Sequence, residues 1–175
     1  MPPHAPQALS DALIGLASEV YSCASVPVQV AAMRAYSLEQ ETFDYLDYQR
    51  KILSRIGQTI YRYLADGGVA VHAPEGGFYL LLDFRPFAEQ LAFRDITTDQ
   101  ALCTALLEST GVMLLPGSAF GMSAEALTAR LAYVDFEGDR ALNSITSLDD
   151  DAEAFVGQFA GKMLDGIHLL INWLN

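Results

Sequence analysis

The chain has 175 residues, 51% of them apolar and 18% charged, and carries a net charge of -12. That length holds one domain, or one domain with a segment of another. The negative balance argues against nucleic acid, which needs a basic patch, and against anionic membrane surfaces. Soluble domains average about 45–50% apolar and about 25% charged residues. The apolar excess therefore reports either a well-buried core or a surface that meets a partner or another domain.

The first six residues contain Pro2, Pro3 and Pro6 and read as an extended lead-in. They lack a basic stretch followed by an apolar one, so no signal peptide is expected. A helix is predicted from Leu9 to about Ala17. The segment Tyr21–Pro27 interrupts it. Ser25 is placed to cap a second helix with Pro27 in its first turn, running to about Tyr36. The clearest helix spans about Leu38–Leu64, with Phe43, Leu46, Leu53, Ile56, Ile60 and Tyr63 at helical spacing. Asp66-Gly67-Gly68 stops it, glycine suiting the left-handed terminal position.

Beyond this point the pattern changes to short strands. Val69–Val71 is a strand, Pro74–Gly77 a turn, and Phe78–Phe84 a strand with Phe78, Leu80, Leu82 and Phe84 on one face. Thr97–Gln100 reads as a capping box opening a helix to Ser109, ended by Gly111. Val112–Leu115 and Ala129–Asp135 are further strands. A last helix covers about Asp149–Trp173. Phe155, Phe159, Met163, Ile167 and Leu170 form its apolar stripe, and Asp149, Asp150, Asp151 and Glu153 suit its N-terminus. Its apolar tail is too short for a membrane span, which takes about 20 residues. The expected fold is α/β of an α+β-like kind, a small mixed or antiparallel sheet with long helices on one face.

Cys23, Cys103, His4, His72 and His168 show no metal-ligand spacing, so no metal is expected. Two isolated cysteines fit a reducing cytoplasm. Three other features could carry chemistry. Pro74-Glu-Gly-Gly-Phe-Tyr79 is either a plain turn or a turn beside a site. Pro116-Gly-Ser-Ala-Phe-Gly121 is either a surface loop or a backbone that approaches a ligand closely; no Gly-Lys-Ser/Thr follows, so it is not a P-loop. Arg130 shares a strand face with Ala132 and Val134. A guanidinium partly buried there needs an anion, supplied by an internal acid such as Asp135 or Glu137 or by a ligand carboxylate.

Taken in order, Pro74–Leu80, Gly111–Gly121 and Arg130–Val134 resemble the C-terminal signature of class I/II, fold-type-I, pyridoxal-phosphate-dependent aminotransferases. Leu16–Gln29 looks like the helical link between their large and small domains. The resemblance implies residues 1–36 as lead-in and linker helices and 37–175 as a small domain. It further implies that Arg130 clamps the substrate α-carboxylate, with Gly76, Gly77 and Phe78 near the site mouth. Pro116, Gly117, Phe120 and Gly121 would belong to the loop that closes over substrate. The family cofactor forms a Schiff base with a lysine. Here the only lysines, Lys51 and Lys162, lack the family's surrounding motif. No catalytic residue is therefore assigned, and this chain alone is expected to bind no pyridoxal phosphate.

The implied substrates are an amino acid and a 2-oxo acid. The implied partners are a second copy of the chain or a large domain. Two rival expectations stand beside this. One is a non-catalytic interaction or dimerisation module. The other is part of a different fold-type-I enzyme, such as a C–S lyase or an acyl-transferring synthase.

Overall fold

The computed structural model describes residues 6–20, 24–145 and 151–175. The chain divides into two compact units, residues 1–45 and 46–175. The first contains α1 (Gln7–Val20) and α2 (Val26–Tyr36). Neither helix has a buried residue. Ser25 occupies the N-cap of α2 and Pro27 its first turn, although the serine hydroxyl makes no capping bond. Arg34 pairs with Glu39 and, at 3.6 Å, with Glu41. The next helix, α3 (Gln40–Asp66), carries the boundary between the units within its length.

The second unit is built on a four-stranded antiparallel sheet. Its strands are β1 (Ala70–Val71), β2 (Tyr79–Asp83), β3 (Leu115–Pro116) and β4 (Thr128–Ala132), in the order β1-β2-β4-β3. The helices of this unit beyond α3 are α4 (Ala88–Ala92), α5 (Asp99–Thr110), α6 (Gly138–Ser144) and α7 (Ala152–Leu174). Side chains alternate along each strand, so each apolar run splits between two faces. Leu80, Leu82, Ala129 and Leu131 point to one face. They join one apolar core with Ile52, Ile56, Ile60 and Leu64 of α3, Leu102 and Leu106 of α5, and the α7 stripe.

The expected α7 stripe is buried at Phe155, Phe159, Met163, Ile167 and Leu170. Asp151 caps α7 by accepting the Glu153 N–H at 2.9 Å; Asp149 and Asp150 lie outside the described residues, as do His4 and Cys23. On α3 the expected Ile56 and Ile60 are buried, but Ile52 and Leu64 take the places expected for Leu53 and Tyr63, and Phe43 is exposed. Leu53 and Tyr63 pack at the margin of the core. Thr98 caps α5 through its hydroxyl in place of the box expected from Thr97 to Gln100, whose Gln100 side chain reaches Thr104 instead, and Gly111 ends α5 in the left-handed conformation, φ 77.

Three expectations change in detail. The strand expected at Val112–Leu115 reduces to Leu115–Pro116, because the Val112 N–H donates to the Thr110 hydroxyl at 3.1 Å instead of to a neighbouring strand. The strand expected at Ala129–Asp135 spans Thr128–Ala132 and turns at Phe136, whose N–H returns to the Val134 carbonyl. Phe78 precedes β2 and remains exposed, outside the core that takes Leu80, Leu82 and Phe84. α7 bends at Ala160 (φ -130, ψ 26). Near the break, the Phe159 carbonyl accepts the Glu137 N–H at 2.9 Å. Among the described residues no helix is long and apolar enough to cross a membrane.

Candidate functional site

The second face of the sheet lacks the burial of the first. Antiparallel register places Arg130 opposite Leu81 on β2 and Leu115 on β3, and Tyr79 opposite Ala132. Tyr79, Leu81, Leu115 and Ala132 are all exposed. The face continues into an open cavity of about 550 Å³ bordered by Leu81, Asp83, Thr128, Met122, His72 and Arg85. Beside it, the Asp83 carboxylate accepts the Arg85 backbone N–H at 3.0 Å and the Arg85 guanidinium through Nε at 2.9 Å and Nη2 at 2.5 Å. These bonds hold the Asp83 carboxyl below its ordinary range.

Arg130 is half-buried on this face. Its guanidinium lies 4.3 Å from the Tyr79 ring centroid and 4.4 Å from that of Phe120. Two aromatic faces thus hold one cation by the attraction of its charge to their electron density. Arg130 Nε is buried and has no hydrogen-bond acceptor among the described residues. Among the described residues no acid pairs with Arg130, and Glu137, one of the internal partners considered, pairs with Arg140 instead. A buried N–H left unmatched costs about 1–3 kcal/mol.

The loop at Pro116–Gly121 delivers Phe120. Residues 117–120 form a 3-10 turn ended by Gly121 in the left-handed conformation, φ 85. Gly117 lies so close to β4 that a Cβ there would sit 2.1 Å from Thr128 Oγ1. No larger residue fits without displacing the Thr128 side chain. The fully buried Asp99 accepts the Ser118 N–H at 2.6 Å and the Ser118 hydroxyl at 2.9 Å. Burial, with a smaller contribution from the Asp99 charge, pushes the neighbouring Cys103 thiol up to about 11.

The glycine turn has a different neighbourhood. Gly76 and Gly77 border a cleft of about 260 Å³ with Arg50, Leu53 and Ser54 of α3. Tyr133, whose hydroxyl is raised by burial, donates to the Gly77 carbonyl at 3.0 Å. Phe78 links the turn to Arg130 indirectly, since its ring lies 4.2 Å from that of Tyr79. The structure thus brings Arg130 and Phe120 together, attaches Phe78 through Tyr79, and opens Gly76 and Gly77 into another cleft. Tyr79 and Asp99 are site residues that sequence reasoning missed. Alternation along β2 puts Tyr79 on the Arg130 face and could have revealed it. For Asp99 no local signal exists.

Solved structures share the fold. An aromatic aminotransferase from Pyrococcus horikoshii OT3 superposes with a TM-score of 0.67 at 18% identity, covering 97% of this chain and 37% of that one. An aspartate aminotransferase from Thermotoga maritima gives 0.62 at 21%, covering 98% and 34%. The sequence places the chain more narrowly. Residues 4–138 match the family model of aminotransferase class I and II. The chain belongs to that family, whose members are fold-type-I enzymes.

The aspartate aminotransferase of Bacillus sp. (strain YM-2) is 32% identical over 147 residues, which is 83% of this chain and 34% of the relative. The asparagine–oxo-acid transaminase of Streptococcus mutans is 33% identical over 111 residues, 63% of this chain and 27% of the relative. The chain spans about a third of the length of the relatives it matches.

The family's intact enzymes work with pyridoxal phosphate. The amines here do not fit a covalent site for it. Lys51 lies 5.5 Å over the ring of Tyr48, and Lys162 borders a shallow groove with Asp135, Phe136 and Glu137. Neither belongs to the cluster of Arg130, Tyr79 and Phe120.

Proposed function

We propose that this chain carries the substrate-carboxylate part of a class I/II aminotransferase site, serving transfer of an amino group from an amino acid to a 2-oxo acid. The observation that carries it is the ring-held Arg130, whose buried Nε has no acceptor among the described residues. A planar guanidinium fixed in this way presents paired donors that match the two oxygens of a carboxylate. Phe120, with Pro116, Gly117 and Gly121, belongs to the loop that closes over bound substrate. Gly76, Gly77 and Phe78 border the site mouth. Residues 1–36 act as linker helices and 37–175 as the small domain of a cytoplasmic enzyme. The relatives' names divide among aspartate, asparagine and aromatic aminotransferases, so the proposed substrate stays at the level of an α-amino acid.

Without a fitting lysine, the chain alone neither holds pyridoxal phosphate covalently nor transfers an amino group. It works together with a large-domain polypeptide or further copies of itself. The exposed apolar side chains of α1 and α2, including Ile14, Val20, Met33 and Tyr36, favour such docking. They equally favour the reading as a pure interaction module.

An acetate titration of the ¹⁵N-labelled chain, followed at the Arg130 Nε–H, separates the two. A carboxylate site gives a saturable shift with sodium acetate and none with equal sodium chloride. Identical responses to both salts would overturn the proposal.

A further inference from the structure

Asp99, the first residue of α5, is buried to 0% exposure and pairs with no cation among the described residues. A carboxylate is expensive to bury unless its oxygens are matched. Among the described residues its hydrogen-bond partners are the N–H and hydroxyl of Ser118, one on each carboxylate oxygen. This pair of hydrogen bonds to one residue fixes the start of the 117–120 turn, and the close approach of Gly117 to the Thr128 side chain leaves no room there for a Cβ. The far end of the same turn carries Phe120. Its ring is exposed at 51%, so little core packing of its own holds it against Arg130.

We infer that Asp99 is a positioning residue for Arg130: through Ser118 it holds the Phe120 ring against the guanidinium that the Tyr79 ring also contacts, and the two rings together fix the orientation of the guanidinium. The inference rests on the carboxylate reading of Arg130, since Asp99 itself touches no ligand. Aromatic faces are electron-rich and repel anions. With two rings within 4.4 Å of the guanidinium, an anion is turned away from their faces and toward the uncovered edge of the fork. That is the approach a planar carboxylate needs for two parallel hydrogen bonds. Holding the fork before the ligand arrives also removes part of the ordering cost of binding.

The test reads the Arg130 Nε–H of the ligand-free, ¹⁵N-labelled chain, well below its melting temperature. Wild type should give a slowly exchanging signal displaced by the two rings. Asp99→Ala and Phe120→Leu should each move it toward the position of free arginine and speed its exchange about tenfold or more, as local opening does. Phe120→Tyr, which restores a ring, should return the wild-type signal.

If Asp99→Ala does not fold, Ser118→Ala removes one of the two Asp99 bonds and should give a smaller change of the same sign. An Arg130 signal unchanged in folded Asp99→Ala, or in Ser118→Ala and Phe120→Leu, overturns the inference. A signal that moves in the variants, in a chain whose wild type ignores acetate, supports the positioning chain and sinks the carboxylate reading instead.

Discussion

The two faces of the small sheet are made from the same strands and behave as opposites. On the covered face, Leu80, Leu82, Ala129 and Leu131 are at most 6% exposed and meet α3, α5 and α7. On the open face, one residue along, Leu81 and Leu115 are 50% and 43% exposed and flank Arg130. The difference shows how one β pattern separates stability from recognition. Residues that hold the domain together and residues that can meet a ligand are neighbours in sequence and point to opposite faces of the sheet. Substitutions on the two faces should therefore have different consequences.

The largest expected effect lies on the covered face. Leu82→Ala leaves a cavity at a position with no exposure and should cost about 2–5 kcal/mol in urea unfolding. Leu81→Ala, on the open face, should change stability by no more than about 0.5 kcal/mol. Comparable losses at both positions would mean that the open face is packed as well.

Next comes the loop. Gly117→Ala forces a methyl group onto Thr128 and should cost about 1–3 kcal/mol. At Gly76 a Cβ meets nothing within 4 Å, so Gly76→Ala should stay within about 0.5 kcal/mol. Tyr133→Phe removes the bond to the Gly77 carbonyl and should cost about 1 kcal/mol.

A further effect is a pH dependence. Burial raises the Cys103 thiol from 9.0 in the unfolded chain to about 11 in the folded one. Folding therefore favours its protonated form. That contribution is complete below about pH 9 and is lost as pH rises from 9 toward about 11. Cys103→Ala should flatten the alkaline limb of the stability–pH curve, measured by urea unfolding between pH 8 and 11.

Much of the covered face was legible in the sequence, because helices of several turns repeat their apolar positions many times. The α7 stripe and the ends of α5 follow from such local rules. On α3 the expected stripe has Ile56 and Ile60 right and Leu53 and Tyr63 in place of Ile52 and Leu64, since a wide apolar band does not mark its own centre. The short helices at Ala88–Ala92 and Gly138–Ser144 have too few turns to show a period.

The candidate site was legible only in part. Arg130 stood out as a cation on an apolar strand, and Phe120 and Phe78 came from the family resemblance. Tyr79 was read as part of a turn motif, although its ring is one wall of the arginine cage. Asp99 was read as part of a capping box, and its bond to Ser118 depends on tertiary packing that no local pattern announces.

The most direct test of the division between faces is Arg130→Lys, with melting temperature and acetate affinity measured on the same samples. Lysine keeps the charge and loses the fork. Stability should change by less than about 1 kcal/mol, the scale of an exposed cation–π contact. Acetate binding should weaken by about 1.5–3 kcal/mol for each lost hydrogen bond to the carboxylate. A large fall in melting temperature with unchanged acetate affinity would contradict this and make Arg130 a structural residue.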